Sequence, residues 1–227
     1  MRPTMRTNEF ISNTTVTIDI PINQISITGD IYIPNAAKAI IIFAHGSGSS
    51  RFSPRNQYVA KQLNQAGFAT LLLDLLTSVE DEEDEITRRW RFDIDLLAQR
   101  LAAATDWILQ HVYFKNIKIA YFGASTGAAA ALIAAALKSD HIYAVVSRGG
   151  RADLAGSYLS DVRAATLLIV GGYDDVVIEL NQKALQQLKC ESQLEIIPAA
   201  THLFEEPGKL EQVAILAVNW FKKYLKE

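Results

Sequence analysis

The chain has 227 residues, of which 49% are hydrophobic and 21% charged, a composition typical of a globular protein that builds its own core. Its 22 basic and 25 acidic residues leave a net charge of −3 with no basic stripe, so nucleic-acid binding is not expected. The lone Cys190 cannot form an internal disulfide, the polar residues 1–10 do not resemble a leader, and no apolar stretch is long enough for a membrane span. We predict one cytoplasmic domain over residues 1–227.

Hydrophobic patterning predicts an α/β protein. Two opening segments, 14–20 and 24–34, alternate apolar and polar residues, which favours half-buried antiparallel strands. The later apolar runs are continuous, as strands buried on both faces require, and fall at 39–44, 69–74, 117–123, 142–147, 166–171 and 193–198. Predicted helices lie between them, at 54–66, 93–111, 126–138, 179–188 and 207–225. This alternation predicts a mostly parallel sheet with helices on both faces.

Residues 80–85 are all acidic, and Arg88, Arg89 and Arg91 follow closely. Like charges repel and hydrate, which favours a solvated, mobile connection. A flap that presents these arginines to an anionic substrate is the alternative.

Residues 123–127 have the G-x-S-x-G pattern, Gly-Ala-Ser-Thr-Gly, between a buried strand and an alanine-rich helix. A tight strand-to-helix turn holds its central serine in a sparsely allowed conformation, and the residues two positions away must be small. The turn also places the serine at a helix N-terminus, where N–H groups stabilise developing negative charge. This setting predicts Ser125 as a nucleophile.

A serine nucleophile needs a base to take its proton. Of the four histidines, His202 lies in the loop after the last predicted strand, where the base of such a site is expected. His111 and His141 are predicted to be surface residues, and His45 to organise the loop after the first buried strand.

The third member of a triad is a carboxylate that orients the imidazole. The strand at 166–171 is followed by two candidates, of which Asp174 is favoured and Asp175 is the alternative. The order serine, aspartate, histidine is typical of one hydrolase architecture.

An oxyanion hole requires two N–H donors. One is expected from Thr126, directly after the nucleophile. The other is expected from the glycine-rich loop 45–51, where the amide of Ser47 is favoured and that of Gly48 is the alternative.

Together the loop 45–48, the turn 123–127, the acid turn 171–174 and the turn at His202 resemble the α/β-hydrolase superfamily, and more narrowly its dienelactone-hydrolase-like branch. The similarity runs from about residue 31 to the C-terminus. It implies an eight-stranded sheet with the second strand antiparallel, and hydrolysis of an ester or related acyl bond through an acyl-enzyme. Dienelactone hydrolases use cysteine as nucleophile where this sequence has Ser125, so a general carboxylesterase-like activity is expected.

The segment between 147 and 166 is too short for a large cap domain. Arg148 follows a strand end and Arg51 follows the glycine-rich loop, so either can pair with a carboxylate or phosphate of a short acyl substrate. Bonds to backbone carbonyls or acidic side chains are the alternative for both arginines. The mechanism requires neither metal nor organic cofactor. Acyl transfer, thioester or peptide cleavage, and a non-catalytic binding role remain alternatives, and the oligomeric state is open.

Overall fold

An eight-stranded sheet forms the centre of the molecule, which is a computed structural model describing residues 10–225. The strands lie across the sheet in the order β1-β2-β4-β3-β5-β6-β7-β8. Their bounds are β1 Thr15–Ile22, β2 Ile25–Tyr32, β3 Ala39–Ala44, β4 Ala69–Leu73, β5 Lys118–Ala124, β6 Ile142–Arg148, β7 Ala165–Gly171 and β8 Ser192–Ile197.

Strand direction confirms the predicted α/β-hydrolase architecture. β2 pairs antiparallel with both β1 and β4, and the neighbours from β4 through β3 to β8 are all parallel. The carboxyl ends of β3 to β8 therefore meet at one edge of the sheet, which is where open α/β sheets bind their ligands.

Helices cover both faces of the sheet, which explains why the central strands are continuously apolar. Along β3, Ile40 and Ile42 enter one core while Ile41 and Phe43 enter the other. Helices α3, α4 and α5 pack on the first face, and α1 and α6 on the second. The helices are α1 Pro54–Gln65, α2 Ser78–Thr87, α3 Ile94–Gln110, α4 Thr126–Leu137, α5 Asp175–Gln187 and α6 Lys209–Tyr224.

The acidic run at 80–85 is part of helix α2, so the prediction of a mobile connection is wrong. Thr77 and Glu80 form a capping box at its start, with Glu80 accepting from the Thr77 amide at 2.8 Å. Acidic side chains in a first helical turn are stabilised by the helix dipole. Glu80 also pairs with the buried Arg100 of α3, so one carboxylate caps α2 and ties it to the next helix.

The segment between β6 and β7 contains a 3-10 helical stretch, Ala152–Asp161, and no large cap within the described residues. Helix α5 begins at Asp175, four residues before the predicted start, because Asp174 and Asp175 belong to its first turn. None of the helices in residues 10–225 has the length and apolar character that crossing a membrane requires.

Candidate active site

The predicted catalytic residues follow the carboxyl ends of neighbouring parallel strands. Ser125 follows β5, Asp174 follows β7 and His202 follows β8, while the loop 45–51 follows β3. The topology therefore brings residues that are far apart in sequence to one edge of the sheet.

Ser125 has the strained backbone that a nucleophile elbow requires, with φ 50° and ψ −123°. Its backbone is held by the end of β6 and the segment after it, because its amide donates to the Arg148 carbonyl at 3.2 Å and its carbonyl accepts from the Arg151 amide at 3.0 Å. A Cβ at Gly127 would lie 2.3 Å from the Ala44 carbonyl oxygen, so the turn admits only glycine there. The strained turn places Ser125 at the N-cap of α4.

His202 and Asp174 form a hydrogen-bonded pair, with 2.6 Å between His202 Nδ1 and Asp174 Oδ2. When Nδ1 carries the proton, the Nε2 lone pair is left to act as a base. Asp175 is exposed and begins α5, the position that suits an acid stabilised by the helix dipole. Gly149, with φ +52°, lies beside the imidazole, and a Cβ there would be 2.9 Å from the His202 carbonyl oxygen.

The two residues predicted to supply oxyanion donors touch each other. The Ser47 amide donates to Thr126 Oγ1 at 2.9 Å. Gly46 lies directly against Ser125, since a Cβ there would be 3.0 Å from Ser125 Cβ. Gly48 is exposed and has φ +66°, a conformation that favours glycine. The loop after β3 thus carries its amides to the side of Ser125.

His45 organises this loop, as the sequence predicted, by hydrogen bonds to the loop and to the segment after β4. It is buried, with its Nδ1 2.9 Å from the Gly46 carbonyl oxygen and its Nε2 accepting from the Leu75 amide at 3.0 Å. This pattern requires the neutral ring with the proton on Nδ1. Burial lowers the pKa of His45, and the Gly46 carbonyl only partly offsets that effect.

Comparison with known proteins supports the same architecture. The model of the Dienelactone hydrolase family matches residues 27–225. The chain belongs to this family. A dienelactone hydrolase from Anabaena variabilis is 55% identical and superposes with a TM-score of 0.92, covering 94% of this chain and 99% of that one. Est1E from Butyrivibrio proteoclasticus has the same fold at 16% identity, with a TM-score of 0.77 over 93% of this chain and 99% of its own.

Longer relatives also exist. Proteins from two strains of Mycobacterium tuberculosis, provisionally named phosphoribosyl transferases, are 52% identical over 208 residues, which is 92% of this chain but 46% of theirs. The chain therefore spans about half the length of these curated relatives.

The sequence did not predict one contact of the glycine-rich loop. Arg91, held by Asp84, lies beside Gly48, and we call this pair of side chains the clamp. Arg91 forms an ion pair through Nε with the buried Asp84, and its Nη2 donates to the Asp84 carbonyl at 2.9 Å. Its Nη1 would lie 3.0 Å from a Cβ on Gly48. Asp84 belongs to the acidic run and is the only buried residue of α2. Its neighbours in the run are also acidic, so the sequence alone did not single out Asp84 as the partner of Arg91.

The clamp also affects the pKa of Asp84. Burial on its own raises the pKa of this carboxyl group, but hydrogen bonds from Arg91 and from the Trp90 amide outweigh it and lower the pKa overall. Asp84 is therefore a charged anchor for the guanidinium beside Gly48.

The two arginines predicted to bind substrate differ in their surroundings. Arg51 forms an ion pair with Asp74, and its Nε lies 3.3 Å from an Asp30 carboxylate oxygen. Two carboxylates already balance this charge, which favours the alternative that Arg51 pairs with acidic side chains. Arg148 is only 6% exposed and has no carboxylate partner among the described residues.

Three side chains lie away from this edge. Cys190 is half-buried, and burial raises the pKa of its thiol, which favours the unreactive protonated form. His141 is exposed as predicted, but His111 is half-buried against Phe10 and Phe114, so its assignment to the surface is wrong. Within residues 10–225, no three His, Cys, Asp or Glu side chains are grouped as metal ligands would be.

Proposed function

We propose that the chain is a serine hydrolase that cleaves a short carboxylic ester through an acyl-enzyme on Ser125, His202 and Asp174. The observation that carries this proposal is the 2.6 Å contact between His202 Nδ1 and Asp174 Oδ2. It joins side chains 28 positions apart and leaves Nε2 of the histidine as a base at the edge where Ser125 emerges. The strained backbone of Ser125 supports the same assignment.

The reaction takes place in two halves. His202 Nε2 removes the hydroxyl proton as Ser125 Oγ attacks the ester carbonyl, and Asp174 stabilises the resulting imidazolium. The amides of Thr126 and Ser47 hold the oxyanion. His202 then protonates the departing alcohol, and a water molecule repeats the cycle on the acyl-enzyme to release the acid. No hydrogen bond joins Ser125 to His202 within the described residues, and such contacts often tighten only when substrate binds.

Phosphoribosyl transfer, the activity in the name of the mycobacterial relatives, is not the function that we assign to this chain. Those proteins extend well beyond the match, which covers 46% of their length. Ser125, Asp174 and His202 all lie within the residues that match the dienelactone hydrolase model. This match supports a hydrolase site in the half of those proteins that this chain shares. The same triad can also serve acyl transfer, thioesters or peptides.

Hydrolysis of p-nitrophenyl esters from acetate to decanoate, by the wild type and Ser125→Ala, tests the proposal. We expect turnover of short esters by the wild type and background rates for the variant. Labelling by a fluorophosphonate, located by peptide mass spectrometry, should occur at Ser125. Labelling without turnover would retain the nucleophile and reject the ester class, and absence of both would reject the proposed function.

A further inference from the structure

Arg148 is a buried cation for which residues 10–225 supply no balancing anion. Only 6% of its surface is exposed, and its Nε is buried without a hydrogen-bond acceptor. Within the described part of the chain, its guanidinium makes one hydrogen bond, from Nη2 to Asn56 Oδ1, which is long at 3.4 Å. Nη1 has no acceptor among residues 10–225. A buried charge normally has a partner of opposite sign, because desolvating it alone is costly.

The surroundings of Arg148 add positive rather than negative charge. Burial and the charge of Arg55 together lower the pKa of Arg148 to about 10, with burial the larger cause. The guanidinium therefore stays charged at neutral pH. Arg55 has its own partner, Glu205, at 3.0 Å.

The N-terminus of α1 adds further positive charge beside Arg148. Asn56, the partner of Arg148, is the third residue of α1, so the guanidinium lies beside the positive end of this 12-residue helix. Ser53 already accepts from the Asn56 amide at 3.4 Å, and its carbonyl accepts from the Gln57 amide at 2.9 Å. Because Ser53 accepts from these two amides, the helix attracts an anion through its dipole. Within residues 10–225, the Nε and Nη1 groups of Arg148 are left without acceptors.

The geometry points to a binding site for one small anion, a halide ion or a carboxylate group, held by the Arg148 guanidinium beside the first turn of α1. The backbone of Arg148 adjoins the proposed catalytic centre. The Arg148 carbonyl accepts from the Ser125 amide at 3.2 Å, and the next residue, Gly149, lies beside the imidazole of His202. The anion is either a free ion that completes the fold or the carboxylate of an acidic acyl substrate; the second source rests on the proposed hydrolase function.

Bromide is the probe for the site, because anomalous scattering locates it without any turnover. In crystals of the wild type soaked in sodium bromide we expect an anomalous peak within hydrogen-bond distance of an Arg148 nitrogen. In solution, increasing sodium bromide should raise the wild-type Tm along a saturating curve, by about 3 °C more than in Arg148→Gln. Arg163→Gln is the matched control, since Arg163 is 71% exposed and pairs with Asp140 at the surface.

Arg163→Gln should retain the full bromide response. If Arg148→Gln does not fold, Arg148→Met, which also lacks the charge, and the anomalous map of the wild type decide instead. A map without a bromide peak at Arg148, or equal bromide responses in the wild type and a folded Arg148 variant, would overturn the proposal. Both readouts are independent of catalysis, so they distinguish failure of this site from failure of the esterase assignment.

Kinetics then separates the two sources of the anion. If the site receives a substrate carboxylate, bromide should raise KM for mono-p-nitrophenyl succinate and leave KM for p-nitrophenyl acetate unchanged. If the anion is a free ion, bromide should leave the ratio of the two KM values constant while still stabilising the protein. Either pattern supports the site and assigns its occupant.

Discussion

The amide of Ser47 and the hydroxyl oxygen of Thr126 are joined by a 2.9 Å hydrogen bond. This contact links the loop after β3 to the first residue of α4, and Thr126 is only 5% exposed. The side chain of one predicted oxyanion residue therefore aligns the backbone donor of the other.

Replacing this hydroxyl tests the alignment. Thr126→Val keeps the shape and backbone of the residue but removes the acceptor, so we expect kcat for p-nitrophenyl acetate to fall about tenfold with little change in KM. Thr126→Ser retains the hydroxyl and should stay near the wild-type kcat. An unchanged kcat in Thr126→Val would show that this hydrogen bond does not position the oxyanion donor.

The two neighbouring acids should differ sharply in kinetics. Asp174→Asn removes the carboxylate that orients His202 and stabilises its cation, so we expect kcat to fall by about a thousandfold or more. Asp175→Asn alters an exposed acid in the first turn of α5 and should retain most of the activity. Steady-state kinetics on one short ester, with circular dichroism to verify folding, is the measurement. A larger loss in Asp175→Asn than in Asp174→Asn would contradict the assignment.

The clamp on Gly48 should affect both stability and rate. Asp84→Asn leaves the Arg91 guanidinium with a neutral partner, so we expect Tm to fall by roughly 5 °C. We also expect kcat to fall severalfold, because the glycine-rich loop loses its support. Glu82→Gln, an exposed position on the same helix, is the control and should match the wild type in both. Differential scanning calorimetry and ester kinetics measure the two effects.

His45 should make stability depend on pH. Its pKa is lowered in the folded protein, so below its unfolded pKa of about 6.5 the unfolded chain binds the extra proton and folding weakens. We expect His45→Gln to be less stable than the wild type at pH 7.5, with a shallower loss of stability between pH 6.5 and 5. Urea unfolding at several pH values tests this, with His141→Gln, an exposed position, as the control. Equal slopes in the wild type and His45→Gln would contradict it.

Most of the backbone architecture was predictable from local pattern. Continuous apolar runs indicated the buried parallel strands, and alternation indicated β1 and β2, because burial on one or two faces is encoded in neighbouring residues. The G-x-S-x-G pattern likewise predicted the tight turn at Ser125, because that turn needs small residues two positions away on each side. Helix α2 was missed because its stability comes from the capping box of Thr77 and Glu80 and from the pairing of Glu80 with Arg100, whereas the charge run suggested a solvated loop.

The partners of charged side chains were decided only when the strands were assembled. Local sequence left Asp174 and Asp175 both open, and the position of β8 beside β7 brings His202 to Asp174. Arg51 and Arg148 likewise look equivalent in the sequence. In the part of the chain that the structure describes, Arg51 meets two carboxylates and Arg148 is buried without one. Backbone periodicity is a property of adjacent residues, whereas an ion pair depends on the register of elements that the chain brings together from a distance.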